Sequence, residues 1–504
     1  MKKVLALMLA LIMVMIIPVY GEQADDSLIT DMVLDRFMPL TQIPRPSHHE
    51  EKIADYLEKW AQDRGFEVVR DEANNIIFDV PATEGMEDKP AVALQGHMDM
   101  VFAQKDGANL DKLTTVINVV NDGTYLRSDG NTSLGADDGI GVAIILGVAD
   151  GEMAHGPVRV IVTTDEEDGM LGTFALDPKY IQEVSYLINI DSEQEGEMTV
   201  TTAAGEVMEF SGDVTSAEPL YNTAVTVRLA GLAGGHSGID IKNGGLNGAI
   251  VMGNLLDTIL KGGVDFELQS FNAGTAPNAI VTSAIAVICT DEAGADKAKE
   301  ICGNFEKDFL EKHKDTDPDY TLDVSTGSVS GKVMSGADRD KLIYFITNIF
   351  NGVNTWSEYI DGLVESSSNL GIVNAGADGI AVTSNIRSSS DEKFEELIEG
   401  QRELGESLGM NIVSSKTADP WPYKEDNKLI KLAQDAYRKL FNEDIKEVAV
   451  HAGLECGTYA VYNKDINMIS IGPTIHNPHT VNERLEIATI PKVWKLLEEM
   501  LANV

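Results

Sequence analysis

Cations are scarce in this chain. It carries 39 Lys and Arg against 81 Asp and Glu, a formal net charge of −42. So acidic a surface repels phosphate backbones and anionic lipid, which excludes nucleic acid and membrane surfaces as partners. Cysteine is scarcer still: Cys289, Cys302 and Cys456 are the whole supply in 504 residues. A disulfide framework is therefore excluded, and free buried thiols are expected in preference to a Cys289–Cys302 pair. Beyond the first 21 residues no apolar run reaches the 18 residues of a membrane span, so the rest of the chain reads as soluble.

The first 21 residues stand apart. Lys2 and Lys3 precede the apolar run Val4 to Ile17, Pro18 breaks it, and Val19-Tyr20-Gly21 offers small residues for cleavage. This is the pattern of an export signal over 1–21, which predicts a secreted or cell-surface protein cut near Gly21, with a retained anchor as the alternative. No Cys lies nearby to carry a lipid.

At 504 residues with 43% hydrophobic content, the chain is too long for one core and apolar enough for two. Over 22–204, apolar runs alternate with amphipathic segments, the pattern of an α/β domain with a mainly parallel sheet. Ser47-His48-His49-Glu50 has the spacing of a capping box and predicts a helix through Trp60. That makes His48 and His49 helix-start residues. Strands are expected at Glu67–Arg70 and Asn75–Val80, and a small-residue helix at Ile140 to Ala149. From 205 to 416 the order turns β-rich, with strands at Ala224–Leu229 and Ile280–Ile288 around a helix Asn243–Leu260. A further helix is expected at Asp391–Gly409. This predicts an inserted α+β domain. The α/β pattern resumes over 417–504 with the helix Asn427–Leu440 and the strand Ile466–Ile471, so the first domain is discontinuous. His155 and His313 fall in polar surroundings and read as surface residues.

Four apolar runs end in residue types that bind metals. Ala91–Gln95 leads to His97 and Asp99, Val158–Val162 to Glu166 and Glu167, Val184–Ile190 to Asp191, and Met468–Ile471 through a loop to His476 and His479. In open α/β sheets the active site gathers at the carboxyl ends of the strands. His97 and Asp99 stand two apart, so their side chains face one way, and Asp99 can accept the second imidazole N–H of a ligand His97. Burying Glu166 beside Glu167 without cations is costly, which favours metals over an exposed acidic turn. Glu167 is then a ligand and Glu166 the general base. Asp137, just before a helix, is the expected bridging carboxylate, with Asp138 as the alternative. Asp191 and His479 complete the set, with His476 as a rival to His479. The expected shells are His97, Asp137 and Asp191 on one ion and Asp137, Glu167 and His479 on the other. Imidazole and carboxylate donors suit two Zn²⁺, with Mn²⁺ or Co²⁺ as substitutes. Two such ions can share a hydroxide and polarise a carbonyl.

The motifs G-H-M-D-M-V at 96–101, L-G-A-D-D-G-I-G at 134–141, D-E-E-D-G-M-L-G at 165–172 and L-I-N-I-D at 187–191 occur in order. They are followed by G-G-H-S-G at 234–238, H-A-G-L-E-C-G at 451–457 and I-G-P-T-I-H-N-P-H at 471–479. Over nearly all of 22–504 the chain resembles the aminoacyl-histidine dipeptidases, within the wider dizinc family of aminoacylases, carboxypeptidases and carnosinases. The resemblance implies a metallodipeptidase acting on Xaa-His and other unblocked dipeptides. An N-acyl amino acid amidohydrolase or tripeptide aminopeptidase is the same-chemistry rival, and a non-catalytic exported peptide-binding protein the remote one. It also implies that the inserted domain is a lid carrying substrate contacts at His236, Asn278 and Arg387; by its length that lid is large enough to dock a second copy as a homodimer or to replace one internally. His451 and Glu455 would line the substrate pocket, with Cys456 packed beside the site. Enzymes of this branch are usually cytosolic, so the expected export signal is a departure that would make extracellular peptides candidate substrates.

Overall fold

The strand Val158–Thr163 shows how this sequence builds a two-faced sheet. Val158, Val160 and Val162 pack into one apolar layer and Ile161 into the other, the period of two that a pleated strand imposes. Val92–His97 behaves alike, with Leu94 in the first layer and Ala93 in the second. The computed structural model describes residues 25–504 apart from 152 and 361, so the expected leader at 1–21 lies outside the described residues.

These two strands form the middle of an eight-stranded sheet. Val158–Thr163, Val92–His97, Tyr186–Asn189 and Asn467–Ser470 are consecutive parallel neighbours. Antiparallel Ile76–Val80 and Val68–Arg70 extend one side, and Glu197–Thr202 with Lys446–Val450 the other. The first layer is closed by the helices Asp26–Thr41, Ala136–Ala149, Lys428–Phe441 and Ile490–Asn503. Every residue of Ala136–Ala149 is buried, which its small and apolar side chains permit. Because the four central strands run one way, His97, Thr164–Glu167, Asp191 and the loop to His479 all leave the same edge.

A second sheet has nine strands, every pairing antiparallel, and its own core around Phe210, Phe266, Phe271 and Phe345. The chain enters it on Ala204–Gly212 and leaves on Asn411–Ala418, which are neighbours in the sheet. We propose 205–416 as an inserted domain and 22–204 with 417–504 as the unit that receives it.

Local expectations hold where periodicity sets them and fail where long-range contacts do. The helix expected from the capping box starts only at Glu51, with Glu50 at its N-cap position and no side-chain cap bond. Ser47 turns away to donate to Asp99 Oδ2 at 2.8 Å, and His48 takes a left-handed φ of 68°. The helix expected from Asn243 begins at Gly248, capped by the Asn247 side chain, because Gly244 and Gly245 break the preceding turn. His155 is not a surface residue. It is 1% exposed, with Nδ1 on the Gly156 carbonyl at 2.6 Å.

All three cysteines are buried and unpaired. Burial pushes the Cys289 and Cys302 thiols up to about 11 and the Cys456 thiol well above its ordinary value. Reaction needs an accessible thiolate. The native protein should therefore leave a colorimetric thiol reagent unconsumed, and three equivalents should react after unfolding in guanidinium. One fast-reacting thiol in the native state would contradict this placement.

Candidate metal centre

Five carboxylates and two imidazoles converge where the parallel strands end. His97 Nε2 lies 3.3 Å from Asp137 Oδ1 and 3.4 Å from Asp191 Oδ1. His479 Nε2 lies 3.0 Å from Asp137 Oδ2 and 2.8 Å from Glu167 Oε2. Donors about 2.0–2.2 Å from a tetrahedral ion stand roughly 3.3–3.6 Å apart, which the two His97 spacings match, while the two His479 pairs sit closer, at hydrogen-bond distance. Asp137 turns one oxygen to each histidine, the disposition a bridging carboxylate needs. Two overlapping groups, His97–Asp137–Glu167 and His97–Asp138–Asp191, have ligand atoms all within 4.8 Å of one another.

Asp138 belongs to the second group but faces elsewhere. Its Oδ2 accepts the His97 backbone N–H at 3.1 Å, and its carboxylate fills the space where Gly96 and Gly141 lack side chains. His476 is outside the cluster, 3.4 Å from Glu486 and edge-on to Tyr125. Glu166 Oε2 stands 4.0 Å from His97 Nε2, nearer the open side than Glu167.

The electrostatics suit cations. Burial pushes Asp191 up to about 7 and Glu193 up to about 8, with neighbouring carboxylates adding to both shifts. Burial would lower His479, yet its bonds to Asp137 and Glu167 hold it up to about 11. Glu167 Oε1 is buried with no hydrogen-bond partner among the described residues. Buried charge of one sign is costly without a counter-ion, and a pair of divalent ions would supply it.

A second layer holds this one in place. Asp99 is fully buried and meets His97 Nδ1 at 3.2 Å. It also accepts from Ser47 and from the backbone amides of Glu166 (3.1 Å) and Glu167 (3.3 Å). One carboxylate thereby fixes the imidazole and the acidic turn together. Behind it, Asn189 donates to Gln95 at 2.7 Å, and Gln95 donates to Thr163 and to Glu455. Glu455 also accepts from Thr173 and is 0% exposed. The expectation that Glu455 lines the substrate pocket is corrected: it lies under the cluster, enclosed by these donors. Ser47 and Gln95 were missed in the sequence, Ser47 because its spacing to Glu50 has a complete local explanation.

The loop that carries Glu455 begins at His451, against the inserted domain. His451 Nε2 is 2.7 Å from Ser367 Oγ, its Nδ1 has no partner among the described residues, and burial with Arg387 nearby lowers it to about 3, so the ring is neutral. Arg387 is 9% exposed, its Nε has no partner among the described residues, and burial lowers it to about 10. It therefore stays charged at neutral pH, with no carboxylate in ion-pair reach among the described residues. His236 Nδ1 accepts the Gly238 amide at 3.2 Å, which leaves its proton on Nε2. Burial and Arg387 lower its affinity for a second proton. Asn278 is exposed, and its carbonyl accepts from Ser237 at 2.8 Å.

Comparison with known proteins agrees with this geometry. The model of the peptidase family M20/M25/M40 matches residues 93–503. The cytosol non-specific dipeptidase of Escherichia coli is 33% identical over 480 residues, 93% of this chain and 97% of the relative. The crystal structure of aminoacylhistidine dipeptidase from Vibrio alginolyticus superposes with a TM-score of 0.85 at 32% identity, covering 94% of this chain and 96% of that one. An aminopeptidase of Bacillus cereus shares the fold at a TM-score of 0.53 and 17% identity, over 94% and 99% of the two chains. The expectation of export is corrected by these findings. A relative that matches over 97% of its own length is a cytosol enzyme. Seven motifs in order, a shared fold and a match running from the first ligand strand to the last helix lead to one conclusion: the chain belongs to peptidase family M20/M25/M40.

Proposed function

We propose that the protein is a dinuclear metallodipeptidase that hydrolyses unblocked dipeptides, Xaa-His among them. The observation that carries the reading is that Asp137 turns one oxygen to each histidine, 3.3 Å from His97 and 3.0 Å from His479, with Asp191 3.4 Å from His97 and Glu167 2.8 Å from His479. Support for the substrate class comes from the two relatives at 32–33% identity, a non-specific dipeptidase and an aminoacylhistidine dipeptidase. Zn²⁺ suits the nitrogen and oxygen donors, with Mn²⁺ or Co²⁺ as substitutes. When bound, two such ions supply Lewis acidity to the scissile carbonyl and to water.

The chain's own groups do the rest. Glu166 takes the proton of the attacking water and returns it to the leaving amine, which departs as a neutral amino group. Asp99 orients His97 and the Glu166–Glu167 turn together. The Arg387 guanidinium binds the C-terminal carboxylate of the substrate, and the His236 Nε2 proton faces the developing oxyanion, with Asn278 beside it. His451, neutral and bonded to Ser367, shapes the floor on which Arg387 rests.

Protein stripped by a chelator should lose all dipeptide hydrolysis and regain it at two equivalents of Zn²⁺, Mn²⁺ or Co²⁺. Free dipeptides should turn over, whereas N-acetylated ones should not. Faster cleavage of acetylated substrates would replace the dipeptidase reading with an N-acyl amidohydrolase. Preference for tripeptides would indicate an aminopeptidase.

A further inference from the structure

Glu483 is 2% exposed and sits four residues beyond His479. Its carboxylate is filled by the backbone amides of the segment that leads into Asp137. Oε2 accepts from Leu134 at 2.8 Å and Gly135 at 3.0 Å, and Oε1 accepts from Ala136 at 2.7 Å, with the Asp137 amide at 3.4 Å. Successive amides pointing inward make an anion-binding cradle, and here the anion comes from the far end of the chain. Gly135 makes the cradle possible. Its φ is 68°, and a Cβ there would stand 2.6 Å from Met100 Sδ and 2.8 Å from Arg45 Nη2.

Arg45 grips the same peptide from the other side. It is 2% exposed and has no acid within ion-pair reach among the described residues; its Nη1 donates to the carbonyls of Met98 and Asp99, each at 2.8 Å, and its Nη2 to Gly135. One guanidinium thus ties the turn after His97 to the turn before Asp137. One carboxylate ties the turn before Asp137 to the turn that carries His479. His479 itself has a left-handed φ of 61°, a conformation uncommon among residues other than glycine.

We propose that Arg45 and Glu483 are positioning residues that clamp the Gly135 peptide and so set the separations among His97, Asp137 and His479. The inference rests on the dinuclear reading. Glu483 secures two donors of the Asp137–Glu167–His479 ion but only one donor of the His97–Asp137–Asp191 ion. Its loss therefore weakens one ion much more than the other, an asymmetry that a merely structural role does not produce.

The test is a Co²⁺ titration of metal-stripped full-length protein, followed by visible absorbance, for wild type and Glu483→Gln. The substitution keeps the size of the side chain but presents an amide N–H₂ to amides that need an acceptor. Wild type should take up two ions. The variant should bind the first within about twofold of wild type and the second about ten- to a hundredfold more weakly, the usual cost of losing an outer partner of a metal ligand. At saturating metal, kcat should fall with KM little changed. If the variant bound both ions as wild type does and only its melting temperature fell, the clamp would be structural and the proposal overturned. A wild type that takes fewer than two ions would sink the dinuclear reading itself. Should Glu483→Gln fail to fold, Arg45→Lys is read in the same titration: a tenfold loss on at least one ion supports the clamp, and unchanged affinities overturn it.

Discussion

Glu166→Gln should abolish turnover while leaving about two metal ions bound per chain. The two adjacent glutamates differ in what they face. Glu167 Oε2 lies 2.8 Å from His479 Nε2, inside a donor triad, whereas Glu166 approaches the cluster only to 4.0 Å from His97. A group at that distance is placed to act through a water rather than to ligate. The amide of Glu166 is held by Asp99 whatever its side chain, so the turn should survive the substitution. Glutamine matches glutamate in shape and cannot accept the proton. A positioned general base contributes about 10²–10⁴ in rate, so kcat should fall roughly a thousandfold. Elemental analysis of the same sample should find the metal content of wild type. Glu167→Gln should reverse the pattern and lose metal along with activity. Wild-type hydrolysis by Glu166→Gln would remove it from the mechanism.

The contrast between these neighbours shows what could be read from the chain alone. His97, Glu167 and Asp191 stand out because each closes an apolar run, with His479 a loop beyond another, and parallel strands bring such ends to one edge. The separation of roles within Asp137–Asp138 was less legible. Both stand in the first turn of Ala136–Ala149, and only the empty space at Gly96 and Gly141 shows which one turns back under the strand. Ser47 was misread because a local pattern, Ser three before Glu, fitted a capping box, while the buried carboxylate of Asp99 offered its hydroxyl a better partner. Motif order places Glu455 beside the site but says nothing about depth, and the side chain is fully enclosed. Glu483 and Arg45 gave no signal at all. Their partners are backbone amides and carbonyls, which every residue has, and those of Glu483 lie more than 340 positions away in the chain. Side chains that recognise side chains leave a trace in composition and spacing. Side chains that recognise backbone do not.

Arg387→Ala should lower kcat/KM for dipeptides with a free carboxylate by about a hundredfold, mostly through KM, and should leave amidated substrates nearly unchanged. The argument begins with a charge that the fold leaves uncompensated. Arg387 stands on Gly379–Ser388, flanked across the sheet by Ser367 and Gly205, neither of which is acidic. Burial lowers it to about 10, which still leaves it protonated at pH 7. A buried cation without a partner destabilises the molecule that contains it. Its persistence beside the neutral rings of His236 and His451 is explained if the missing anion arrives with the substrate. Truncating one partner of a desolvated charge pair costs about 2–5 kcal/mol, which at about 1.4 kcal/mol per tenfold sets the hundredfold scale. The same reasoning gives stability a sign. Removing an unpaired buried charge relieves desolvation, so the melting temperature of the ligand-free variant should hold or rise although a large side chain has been deleted. A purely structural arginine would behave the other way, losing stability and affecting carboxylate and amide substrates alike. Steady-state kinetics on matched free and amidated dipeptides, read beside thermal unfolding, separates the two, and an equal loss on both substrates would remove Arg387 from carboxylate recognition.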